Sequence, residues 1–236
     1  RPVVVASRSL PSASGSFPEG RSIFVFRNRA YVGTYETAGS EFYVFDITNP
    51  LNPAFLGSKA VNHSVRNIVV REEGVGGAVR LLAYLASSAN NSELQVLDVT
   101  DPVHVLDFSV FDAQGSGSAT ALFAAGKVMW VARQQVVGEP TVVALSVADP
   151  LHPTLLSLYN AKLKSGSVVN GFAVSNSTLV MTTSDATAPL VTCTTTEGHA
   201  IVSCSTAAIV SNSGRIDYQD NYIFAPSGNS LRVIGN

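Results

Sequence analysis

The chain has 236 residues, 46% of them hydrophobic and only 14% charged, with a formal net charge of −2. That is ample apolar material for a packed core, while the near-neutral balance offers no basic field for nucleic acid or an anionic membrane surface. No apolar run reaches the roughly eighteen residues a spanning helix needs, and Arg1-Pro2-Val3-Val4-Val5 lacks the core and cleavage pattern of a signal peptide, so the sequence is expected to begin after any targeting segment.

In chain order the apolar segments are short and rich in β-branched and aromatic residues, the composition of strands rather than helices. Ile23-Phe24-Val25-Phe26, Ala30-Tyr31-Val32-Gly33, Phe42-Tyr43-Val44-Phe45 and Ala54-Phe55-Leu56 form a first unit of four. A second unit has Ile68-Val69-Val70, a Gly-rich excursion through Glu72-Glu73-Gly74-Val75-Gly76-Gly77, then Leu81 to Leu85 and Leu94 to Leu97. Ala121-Leu122-Phe123, Val128 to Val131 and Val142 to Leu145 open a third. Gly171 to Val174, Leu179 to Met181, Leu190 to Thr192 and Ala200 to Val202 make a fourth, and Ile216 to Tyr218, Tyr222 to Phe224 and Leu231 to Ile234 a fifth that stops one strand short. The expected core includes Phe24, Val44, Ile68, Val96, Leu122, Trp130, Phe172, Val180 and Val233. Asn28, Gly126, Asn176 and Asp220 fall at hairpin tips, where residues that accept positive φ are needed.

One phrase is repeated. Asp46-Ile47-Thr48-Asn49-Pro50 returns as Asp98-Val99-Thr100-Asp101-Pro102 and as Ser146-Val147-Ala148-Asp149-Pro150, 52 and 48 residues apart. A fixed period in that range marks propellers and solenoids. Within each copy Asn49, Asp101 or Asp149 bonds back to nearby backbone and the following Pro fixes φ, so each copy is a turn between strands. His104 and His152 share their place with Asn52, which makes them turn residues rather than ligands.

Phe42-Tyr43-Val44-Phe45-Asp46-Ile47-Thr48-Asn49-Pro50 and Leu94-Gln95-Val96-Leu97-Asp98-Val99-Thr100-Asp101-Pro102 resemble the LVIVD repeat, a propeller-forming repeat of secreted and cell-surface proteins. The match is good in units one and two, partial in three, and rests on strand rhythm in four and five. The expected fold is an all-β, five-bladed β-propeller of four-stranded antiparallel blades in a single domain, 1–236. Blade 1 covers about 21–60, blade 2 61–112, blade 3 118–160, blade 4 167–210 and blade 5 214–236. Residues 1–10 supply the closing strand of blade 5, with residues 2–7 antiparallel to 231–235. The alternative is the same pairing between neighbouring molecules, which builds a filament.

Cys193 and Cys204 flank a stretch centred on Glu197-Gly198-His199 that reads as a hairpin, so a disulfide is the favoured reading and a buried free pair the alternative. A disulfide implies an oxidising compartment. Asn62, Asn90 and Asn176 each open an N-glycosylation sequon in loop-like sequence.

A carbohydrate-active enzyme needs two facing carboxylates. The positions expected to line a central channel, at the head of each unit's first strand, are Arg21-Ser22, Arg66-Asn67, Thr120, Asn170 and Arg215 with Asp217. They supply one carboxylate. Gly115-Ser116-Gly117-Ser118 reads as a flexible linker, and Glu72 with Glu73 as a solvated loop rather than a calcium site. The expectation is therefore a non-enzymatic extracellular module, secreted or at the cell surface. It has no catalytic residues, cofactor or metal, and it binds protein or glycan, or self-associates, through its rim or faces, without nucleic acid or membrane insertion. A glycoside hydrolase-like propeller is the alternative.

Overall fold

The computed structural model describes residues 3–11, 18–175, 177–197, 199–207, 216–219, 222–227 and 230–235. Among them there are strands and no helix. Five antiparallel sheets follow one another along the chain, each built from strands consecutive in sequence. The first holds β1 (Gly20–Phe26), β2 (Arg29–Thr34), β3 (Phe42–Asp46) and β4 (Ala54–Lys59); the second holds β5 (Val65–Val75), β6 (Ala78–Ser87), β7 (Leu94–Asp98) and β8 (Leu106–Phe111). The third is β9 (Ala119–Ala125), β10 (Val128–Arg133), β11 (Val142–Ser146) and β12 (Thr154–Tyr159), and the fourth β13 (Val169–Ser175), β14 (Thr178–Thr183), β15 (Leu190–Thr195) and β16 (Ile201–Ala207). The last has three strands, β17 (Asp217–Gln219), β18 (Tyr222–Ser227) and β19 (Ser230–Gly235). The chain divides into two compact units, Arg1–Phe111 and Asp112–Asn236.

The middle strands are buried on both faces, as Phe42 to Phe45, Leu82 to Ala86 and Val128 to Arg133 show, because a sheet packed on both sides has no solvent face. The fourth strands are not: Phe55, Leu106 and Leu155 are exposed. In the first unit the main core gathers Tyr31, Phe42, Val44, Ile68, Leu85 and Leu97. In the second it gathers Trp130, Ala144, Val169, Phe172 and Met181.

The repeated phrase folds as its chemistry requires. Asp46 Oδ1 accepts the Thr48 N–H at 2.7 Å, Asp98 Oδ1 that of Thr100 at 3.0 Å and Ser146 Oγ that of Ala148 at 3.3 Å. One step on, Asn49, Asp101 and Asp149 accept the N–H of Leu51, Val103 and Leu151. His104 and His152 are exposed and, among the described residues, hydrogen-bond within the turn, to Asp101 at 2.8 Å and Asp149 at 2.9 Å.

Several expectations are corrected. Residues 3–11 form no strand, and β19 pairs with β18 alone among the described residues. Instead, Leu10 packs beside Tyr43 and Phe45, and the Tyr43 hydroxyl donates to the Pro11 carbonyl, so the end of the leading segment is held by the first sheet. Val233, on the edge strand β19, is 55% exposed rather than core, and Phe24 is half-buried. At the first hairpin tip Arg27 (φ 53°), not Asn28, takes the left-handed conformation; it is the first of two loop residues, as Gly126 (φ 56°) is in the third sheet. Asn176 and Asp220 lie outside the described residues. The Gly-rich excursion is strand: β5 and β6 continue as a ladder to Val75 opposite Ala78, turning on Gly76 and Gly77, both at positive φ. Nor is Gly115 to Ser118 a free linker, since Glu139 accepts the Ser116 N–H and hydroxyl and the Gly117 N–H, and buried Arg133 donates to the Gly117 and Gln114 carbonyls at 2.8 Å.

Candidate functional site

The first unit presents two features, at opposite ends of β1. Where β1 turns into β2, a cleft of about 430 Å³ opens beside the β5–β6 hairpin, within the size range of small-molecule sites, about 300–1,000 Å³. Its lining combines Arg27, Arg29 and Arg80 with Asp46 and Glu72, the aromatic Phe26 and Tyr31, and the apolar Val79 and Leu81. The extended β5–β6 ladder puts Glu72 and Arg80 there, and the Asp46 turn supplies the opposite sign. Arg27 pairs with Glu72 at 2.8 Å, and Arg80 pairs with Asp98. Arg29 makes a long bond to the Val99 carbonyl, at 3.4 Å, and stands beside the Tyr31 hydroxyl and Asp46. The Thr48 hydroxyl and N–H beside Asp46 hold its carboxyl below the usual range, so it is an anion at neutral pH. The Tyr31 hydroxyl is fully buried without a hydrogen bond of good geometry. Burial pushes its pKa up, and Arg29 beside it pulls it back.

At the other end of β1 lies the second feature, a bulge. The β1–β2 ladder skips Arg21 between Gly20 and Ser22, and the β5–β6 ladder skips Arg66 between Val65 and Asn67. The same irregularity recurs in the second unit, where the ladders pass over Thr120 and Asn170. Four of the positions read from sequence as channel-lining are thus the residues that the ladder register passes over at four similar bulges, a device that re-aims a side chain and clusters near binding sites. Arg215 lies outside the described residues, and Asp217 begins β17.

Glu72 and Glu73 are on strand β5 and not on a solvated loop. Glu73 is buried, pairs with Arg71 and accepts the Tyr84 hydroxyl at 3.1 Å, while Glu72 faces the cleft. Among the described residues no group of three or more His, Cys, Asp or Glu gathers around a common point. Cys193 and Cys204 are bonded across β15 and β16 as a directly opposed pair, Cα atoms 4.1 Å apart. The tip of that hairpin reaches Trp130: the His199 ring stands edge-on to it at 6.1 Å, and the His199 carbonyl accepts the Ser157 hydroxyl at 2.6 Å. Asn62 and Asn90 are exposed in loops; Asn176 is outside the described residues.

No family model and no curated protein matches the chain. Among solved structures it is similar to the periplasmic gluconolactonase of Pseudomonas aeruginosa, at TM-score 0.68 and 12% identity, over 92% of this chain and 65% of that one. It also aligns with two computationally designed proteins, Ika8 (TM-score 0.49, 13% identity, 96% and 74% covered) and Ika4 (TM-score 0.38, 12% identity, 97% and 98% covered). The gluconolactonase is propeller-like, and the likeness shows an all-β fold of that kind, with the meandering sheets seen here. This chain spans about two-thirds of the gluconolactonase's length. The expectation of a chain without enzymatic activity is corrected by this comparison, because the protein sharing the fold is an enzyme. The disulfide and the periplasmic neighbour both fit an extracellular or periplasmic location, and no helix among the described residues is long and apolar enough to cross a membrane.

Proposed function

We propose that the chain is an extracytoplasmic carbohydrate-active protein whose first-unit cleft takes a small sugar-derived molecule, with hydrolysis of a sugar lactone as the reaction. The observation that carries this reading is the cleft's mixed lining: guanidinium donors and carboxylate acceptors share it with aromatic and apolar side chains, the combination that matches a ring bearing hydroxyls on its edge and C–H groups on its face. The orphan Tyr31 hydroxyl and the loosely bonded Arg29 are the groups a ligand would satisfy. In this reading Asp46 takes a proton from water and Arg29 donates to the developing oxyanion. The enzymatic neighbour supports the direction of this reading, and its name the lactone.

The test is acid release from D-gluconolactone above the uncatalysed rate, in the wild type and in Asp46→Asn and Arg29→Met. Asp46→Asn keeps an oxygen to accept the Thr48 N–H, so the turn survives while the charge goes. A loss of about 100-fold or more in kcat for Asp46→Asn is expected. An unchanged rate in both variants, or no catalysis by the wild type, overturns the reading.

A second reading concerns association. β19 has an unpaired edge among the described residues, with Leu231 and Val233 exposed, a strand that another copy could extend. Light scattering across a concentration series tests it, and a monomer throughout removes it.

A further inference from the structure

The two arginines at the bulges of β1 and β5 are held side by side. The Ser22 hydroxyl donates to the Val65 carbonyl at 3.0 Å, fastening one bulge to the other. Gly33 makes that approach possible, because a Cβ there would lie 2.4 Å from Ser22 Oγ and 2.6 Å from Val65 Cγ1. Arg21 lies over the Tyr35 ring, 4.4 Å from its centre, and the Tyr35 N–H is tied to the Glu19 carbonyl at 3.1 Å. The bulge, the tether and the ring preorganise both side chains.

What they are organised for is not within the described chain. Arg71, Arg80 and buried Arg133 all have carboxylate partners. Neither Arg21 nor Arg66 has one among the described residues, and Arg66 Nε is buried with no hydrogen-bond partner. Burial, and then the positive charge of Arg21, lowers the Arg66 pKa from its usual range. Two like charges kept together, one with an orphan donor, leave the counter-charge to something outside the described residues.

We propose that Arg21 and Arg66 form a receptor for a small oxyanion, a carboxylate or phosphate gripped by two guanidinium forks. The planar fork of arginine matches two oxygens at once. A sugar acid and inorganic phosphate are two sources of the same chemistry. The site stands apart from the cleft and does not depend on the lactone reading.

Calorimetric titration of the full chain with sodium gluconate, and separately with sodium phosphate, tests it, with sorbitol as the uncharged control. The expected result is binding of at least one anion, weakening as sodium chloride is raised, with Arg21→Gln and Arg66→Gln each weakening it about tenfold or more. Gluconate alone identifies an organic acid; phosphate binding as tightly identifies a general oxyanion site. Arg66→Met adds an independent readout. It removes an unsatisfied donor and a like-charge repulsion, so the variant's Tm should rise in anion-free buffer, while added anion raises only the wild type's Tm. Failure of both anions to bind, binding that persists in the Arg21→Gln/Arg66→Gln double variant, or a lower Tm for Arg66→Met would overturn the proposal.

Discussion

Replacing Arg133 with Met should destabilise the second unit by about 3 to 5 kcal/mol. The side chain is fully buried, and its Nε and Nη2 donate to the Gly117 and Gln114 carbonyls at 2.8 Å, with longer bonds to the Pro140 carbonyl and Glu139, both 3.4 Å. Hydrogen bonds from a charged donor contribute about 1.5 to 3 kcal/mol each, so the two short ones account for roughly 3 to 6 kcal/mol. Met fills much of the same volume and offsets part of the loss. What remains is the cost of stranded carbonyls and of a Glu139 carboxylate whose cation is gone, the usual result of breaking a buried pair. Trp130 is the single tryptophan, three residues before Arg133 on the same β10, so urea unfolding followed by its fluorescence reports on this unit. The midpoint should fall with little change in slope. A double-mutant cycle with Glu139→Gln should show coupling of about 1 kcal/mol or more. A loss below about 1 kcal/mol for Arg133→Met would refute the claim that this guanidinium, rather than the glycines, orders the loop at 114–117.

Reducing the Cys193–Cys204 disulfide, or replacing both cysteines with Ala, should cost about 2 to 3 kcal/mol by the chain-entropy estimate for a closed loop this short, and it should alter Trp130 fluorescence because His199 of that hairpin packs on the indole. Gly57→Ala should destabilise by about 1 to 3 kcal/mol in thermal unfolding, since a Cβ there would lie 2.2 Å from the Pro102 carbonyl oxygen, and backbone on both sides must shift. Acid should weaken the second unit through Asp185. The N–H of Lys164, with the Thr187 hydroxyl and N–H, lowers its carboxyl below the usual value. Its contribution is therefore complete above the unfolded value of about 3.9 and is lost as pH falls through the lower folded value. Asp185→Asn should flatten that part of the pH–stability curve below about pH 4, and an unchanged acid limb would count against the assignment.

The strands and Pro turns were legible because their determinants are local: an apolar run of strand length, an Asn or Asp placed to cap its own turn, a Pro that fixes φ. The cysteine pair was legible for the same reason, since a short hairpin sets which residues oppose. Features that depend on distant partners were not. Glu73 is buried only because Arg71 and Tyr84 lie beside it, so the glycines around it looked like a loop when the ladder in fact runs on to Gly76 and Gly77. Arg133 and Glu139 are remote in sequence from the loop they hold. The hairpin-tip alignment missed by one residue because composition shows which tip residues are present, not which takes the left-handed conformation, and Arg27 was the less obvious candidate. The positions expected to line a channel were found by counting to the head of each first strand. That four of them fall at bulges was not legible, since a bulge is a property of two paired strands.

The four bulges separate chemistry from folding. Arg21, Arg66, Thr120 and Asn170 stand where the ladder register is interrupted, so their side chains are not bound to the strict in-and-out alternation of the paired residues around them. Such positions tie side-chain identity less tightly to the sheet than a paired strand position does. Two already hold arginine, one threonine and one asparagine, a spread of chemistry that a paired strand position with a buried face would not tolerate. A combinatorial library at these four residues should yield mostly folded members, making the bulges the natural place to recode what the scaffold recognises.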